Sequence, residues 1–113
     1  MNIDLNNKKF KASSNSSIGE VTGDTVFHYH QEKDLIWAEY SGGNIKKGFL
    51  VGKIKNDTFM EFVYQHINNS MEMMTGICES KTNFNDSGKI VLNETWQWTC
   101  KDFSKGESKL VEI

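Results

Sequence analysis

From Val91 to Cys100 the chain reads VLNETWQWTC, and alternate positions carry different chemistry. Ile90, Leu92, Glu94, Trp96 and Trp98 fall on one series; Val91, Asn93, Thr95, Gln97 and Thr99 fall on the other. Successive side chains of a strand point to opposite faces, so this two-residue period predicts a strand with the tryptophan series turned inward. The same reading along the chain predicts eight strands, at roughly 8–12, 21–31, 35–41, 45–54, 58–67, 71–82, 89–100 and 107–113. Turn-forming clusters separate them: QEKD, SGGN, KNDT, NNS, NDSGK and KDFSKG. No segment holds a helical period for three turns, and the tract ASSNSSIGE reads as a polar loop.

Short connections make consecutive strands antiparallel neighbours. A helix-free meander has two bare edges, and closing on itself removes both. The expected fold class is all-β: a single antiparallel up-and-down β-barrel of about eight strands, with an interior wide enough for side chains or one small ligand. The whole chain, 1–113, is read as one domain, with residues 1–7 expected to be disordered.

Alternation assigns the inward series strand by strand. It places Phe27, Tyr29 and Gln31 inside from 21–31, and Ile36, Ala38 and Tyr40 from 35–41. Gly48, Leu50, Gly52 and Ile54 follow from 45–54, then Met60, Phe62, Tyr64 and His66 from 58–67. The series Met74, Gly76, Cys78 and Ser80 is favoured for 71–82. The resulting interior mixes a large apolar content with Tyr29, Tyr40, Tyr64, His66, Ser80 and Glu94 beside Trp96 and Trp98. Buried polar groups need partners, and an aromatic wall with a few placed polar groups is how a ligand cavity is lined. These eight residues are the candidate ligand-binding set. The plainer reading is a filled core, with Glu94 held by tyrosine or histidine. His28 and His30 fall on the outward face with the i, i+2 spacing of a chelating pair; no third ligand is visible, so a solvent-facing pair and no metal site are expected.

Composition narrows the function. All 13 basic residues are lysine against 15 acids, a net charge of −2. Arginine carries much bidentate phosphate and base-edge recognition, so no nucleic-acid partner is expected. No apolar run is long enough to span a membrane, and none follows the N-terminal charges as in a signal peptide. The expected compartment is the cytoplasm, with Cys78 and Cys100 as thiols and no cofactor. Outward Phe49, Val51, Phe59, Val63, Ile67, Met71 and Met73 predict a homo-oligomer, a dimer or larger. Two alternatives to small-molecule binding stand beside it. One is an enzyme with Glu94 or His66 as general base, the other a non-catalytic oligomeric interaction protein.

The stretches YSGGNIKKG (40–48), YQHIN (64–68), MTGICES (74–80) and WQWTCKDFSKGES (96–108) resemble a family of small bacterial proteins grouped as avidin-like, within the calycin-type barrels. The resemblance runs from about Lys8 to Ile113 and implies a streptavidin-like barrel with a cavity that takes an unidentified small molecule. Some similar sequences carry the name N-acetylglutamate synthase. The acetyl-coenzyme A loop of such enzymes, [RQ]-x-x-G-x-[GA] opening a helix, has no counterpart here, since YSGGNIKKG reads as a hairpin turn.

Overall fold

A computed structural model describes residues 3–113. Eight strands run β1 (Lys8–Asn15), β2 (Val26–Glu32), β3 (Leu35–Gly42), β4 (Ile45–Asn56), β5 (Phe59–Asn68), β6 (Met73–Phe84), β7 (Ile90–Trp98) and β8 (Lys105–Glu112). Each pairs antiparallel with the next, and β8 returns to β1 to close the barrel. Among the described residues there is no helix. The chain is therefore an up-and-down barrel whose edges are all paired.

The expected inward series are buried, except that Gln31, Gly52 and Tyr64 are only half-buried. Phe27, Ile36, Ala38, Leu50, Met60, Cys78 and Leu92 all turn inward. Val91 departs from the pattern: it lies on the outward series yet is buried, on the rung between Asn83 and Val111.

Several boundaries differ from expectation: β6 runs two residues later than read, β7 stops at Trp98 and β8 starts at Lys105. β2 begins at Val26, not near 21, because residues 22–25 form a turn in which Thr25 Oγ1 accepts from the Thr22 amide and donates to the Gly42 carbonyl. β1 continues past 12 to Asn15 through an irregularity between Ala12 and Ser14, gaining partners on β8. Nor are residues 3–7 disordered. Ile3 and Leu5 are buried at one end of the barrel, and Gln31 Oε1 accepts from the Leu5 amide at 2.9 Å. An apolar pair at alternate positions ahead of β1 gains more from covering the open core than from staying in water. Met1 and Asn2 lie outside the described residues.

The barrel is filled unevenly. Below Ile3 and Leu5, the half containing Phe10, Tyr29, Ile36, Met60, Leu92 and Leu110 is closed apolar packing. The opposite half carries large rings set beside glycines. Gly48 is the rung partner of both Tyr40 and His66, Gly76 of Tyr64 and Trp98, and Gly106 of Trp96. A Cβ on Gly48 would overlap the Tyr40 ring, one on Gly76 the Tyr64 ring, and one on Gly106 the Trp96 ring. Each of these three glycines thus marks where a neighbouring ring lies across the sheet.

Gly76→Ala should therefore lower stability by about 1–3 kcal/mol, the usual cost of overpacking. Gly23→Ala, whose Cβ would come no nearer than 3.8 Å to another chain atom, should be neutral or slightly stabilising. Urea midpoints of the two variants compare them directly.

Candidate functional site

The glycine-backed rings enclose a cavity of about 50 Å³. Its wall includes Phe27, Tyr40, Leu50, Phe62, Tyr64, Trp96 and Trp98, with Cys78, Glu94 and Ser108 among them. At roughly 10–15 Å³ per water centre, that volume matches a few waters.

Six of the eight sequence-derived candidates line it: Tyr40, Tyr64, His66, Glu94, Trp96 and Trp98. Tyr29 and Ser80 do not; both are fully buried deeper in the barrel. Ser80 is the rung partner of Glu94, and the Glu94 charge acts on the Tyr29 hydroxyl, so the two sit behind the cavity around its carboxylate.

Glu94 is 8% exposed. Its Oε1 accepts from Ser108 Oγ at 2.8 Å, whereas Oε2 has no partner in the protein. Burial pushes its carboxyl up to about 7, against a smaller downward pull from Ser108. Near neutral pH it can thus donate as well as accept. Burial also drives the Tyr29, Tyr40 and Tyr64 hydroxyls well above their ordinary value and keeps the Cys78 thiol protonated. Cys78 and Cys100 are both free.

The 16–25 connection closes the cavity, and sequence reasoning did not find it. Gly19, Glu20 and Val21 line the cavity beside Asn15, the last residue of β1. Trp96 Nε1 donates to Asn15 Oδ1 at 3.2 Å, and Trp98 Nε1 donates to the Ile18 carbonyl at 3.4 Å. The Trp98 indole thus holds the connection directly, and the Trp96 indole holds Asn15, whose Nδ2 donates to the Val21 carbonyl at 2.9 Å; neither N–H is turned to a ligand. Glu20 reaches back over the rim, with Oε1 2.6 Å from His66 Nε2 and Oε2 accepting from Asn68 Nδ2 at 2.9 Å. The other ring nitrogen, Nδ1, lies 3.0 Å from the Tyr40 hydroxyl. With Tyr40 donating, the neutral ring carries its proton on Nε2 and gives it to Glu20. Both His66 nitrogens are engaged, so neither is open to act as a general base while the connection is docked. One signal was available: Glu20 is the sole acid between Asp4 and Asp24, inside an otherwise uncharged tract.

A closed eight-stranded meander with an aromatic cavity and an interior carboxylate defines a calycin-type barrel. The chain belongs to the avidin-like protein family, whose model matches residues 3–113. Barrels of this family generally bind small ligands. No curated protein and no solved structure matches the chain.

The raised Glu94 pKa fixes the sign of a pH dependence. Below about 4.5 both folded and unfolded chains hold the proton, so this group's contribution is fully present. Between about 4.5 and about 7 only the unfolded chain ionises, and stability falls by roughly 3 kcal/mol before levelling off. Glu94→Gln lacks this slope. Its stability relative to the natural chain should rise by that amount from acid to mildly alkaline pH, read from urea unfolding at several pH values.

Proposed function

We propose that the barrel binds a neutral or cationic small molecule with a flat apolar body and an N–H or O–H donor directed at Glu94. The observation that carries this reading is the unpaired Glu94 oxygen in the cavity, with two unpaired hydroxyls just behind it. Among the described residues, Tyr29 Oη, Ser80 Oγ and Glu94 Oε2 are buried without a hydrogen-bond partner. Such groups are costly unless something supplies partners. The lining holds two carboxylates, Glu20 and Glu94, and no lysine, which disfavours an anion. Its rings suit a planar body and can face a positive charge. Lifting the 16–25 connection would make room for a ligand larger than a few waters and would release Trp98 and His66 together. The two free thiols fit a reducing, cytoplasmic compartment.

The enzyme reading is weaker. A Glu94 pKa of about 7 suits a general base, but the Tyr40–His66–Glu20 chain does not activate its hydroxyl, which burial and nearby negative charge hold in the phenol form.

Tryptophan fluorescence of the natural chain against a small-molecule panel tests the binding reading. Neutral and cationic compounds should quench, anionic ones should not, and Glu94→Gln should alter affinity about tenfold or more, as expected when a hydrogen bond to a charged group is lost. Glu20→Gln should raise the association rate more than it changes stability. A panel that gives no saturable change would overturn the proposal.

The outer wall supports an assembly. Trp37, Val51, Val63 and Ile77 are successive rung partners across β3, β4, β5 and β6. Val51, Val63 and Ile77 are each about half exposed, with Phe49 on the neighbouring rung and Met73 further along the same face. An uncharged row on a broad sheet face is self-complementary under a two-fold axis, and we take its partner to be a second copy of the chain. Sedimentation at tens of micromolar should show a dimer or larger for the natural chain and a monomer for Val63→Lys. A monomeric natural chain would refute it.

A further inference from the structure

The fold supplies the third ligand that the His28 and His30 spacing lacked. Glu39 on β3 is the direct rung partner of His28 on β2, and both face outward. The two imidazoles lie side by side along the strand, tilted by 43° with ring centroids 4.6 Å apart. His30 Nε2 lies 2.8 Å from Glu39 Oε2. One ligand atom from each of the three residues can be chosen so that all lie within 4.8 Å of one another. We propose that His28, His30 and Glu39 form a surface binding site for a borderline divalent metal ion of the zinc class.

The donor set selects the ion. Two imidazoles and one carboxylate suit Zn²⁺, Ni²⁺ or Cu²⁺, whereas Mg²⁺ and Ca²⁺ take oxygen ligands. Around a tetrahedral zinc with bonds of about 2.0–2.2 Å the ligand atoms stand roughly 3.3–3.6 Å apart. Side-chain rotation supplies the remaining closure, and all three residues are exposed or half-buried. The surroundings restrict that rotation usefully. Trp37 stacks on the His30 ring at 5.4 Å with planes 22° apart, holding it on the shared face. Asn7 Oδ1 lies 2.7 Å from His28 Nε2, and the Asn7 amide donates to the Tyr29 carbonyl at 2.8 Å. Asn7 can hold His28 or offer a fourth oxygen. Lys9, opposite His28 on β1, faces the same way and limits affinity, so the site is expected to be micromolar. Phe27 and Tyr29 point into the barrel between these ligands, so the site lies on the other side of the sheet from the cavity and is independent of it.

Isothermal titration of ZnCl₂ into the full chain, free of any histidine tag, tests the assignment. One ion per chain should bind, with His28→Ala and His30→Ala each weakening binding by about tenfold or more and Glu39→Gln by less. A Cys78→Ser/Cys100→Ser double variant should bind as the natural chain does. Co²⁺ should give the visible absorption of a four-coordinate site, lost in His28→Ala. Thermal melts confirm that the exposed His28 and His30 variants fold. The proposal is overturned if zinc does not saturate at millimolar concentration, if both histidine variants bind unchanged, or if the cysteine variant alone loses binding.

Discussion

An eight-stranded barrel has a nearly fixed bore, and every inward side chain competes for it. Two rings share one level from adjacent strands only by stacking, as Phe27 does on Tyr40 with centroids 4.7 Å apart. Elsewhere the chain meets this limit by placing glycine opposite a large ring: Gly48 with Tyr40, Gly76 with Tyr64, Gly106 with Trp96. Where side chains of ordinary size alternate, as at Ile36, Met60 and Leu92, the bore fills completely. Where rings lie over glycines, a small void remains. The cavity is a product of packing geometry before it is a product of any ligand.

Polarity in that void follows from the same limit. Glu94 stands where the bore is too narrow for bulk water, so its charge is poorly solvated and its pKa rises to about 7. Ser108 satisfies one oxygen, and the other stays unpaired near Ser80 and Tyr29. Stability alone would favour an apolar residue there, and the unpaired oxygen is the strongest mark of a binding role. The 16–25 connection shares in this arrangement. It is joined to the wall through the polar ends of His66 and Trp98, whose rings form part of that wall, and Trp96 bonds Asn15 at its root.

Much of this architecture could be read directly from the sequence, because side-chain alternation is a local property. The eight strands, their order, the antiparallel closure and the inward placement of Glu94, Trp96 and Trp98 follow from a two-residue period and from turn residues a few positions apart. Six of eight candidate site residues reach the cavity for the same reason: facing inward is decided within each strand. Depth along the barrel is not. Tyr29 and Ser80 face inward as read, yet lie behind the cavity, since height depends on how the strands are staggered around the closed sheet.

Only the tertiary structure decided the contacts between distant segments. Glu20 meets His66 across 46 residues, Trp98 meets Ile18 across 80, and Gln31 holds Leu5 across 26. Each joins an irregular segment to the barrel, where no periodicity announces which way a side chain points. Glu39 comes to His28 through a register set by the β2–β3 hairpin, which alternation alone leaves undetermined. The sequence determined which face each strand residue occupies, because neighbouring peptide units dictate it. The closed sheet determined which of those residues meet, because that depends on stagger, ring size and the docking of loops.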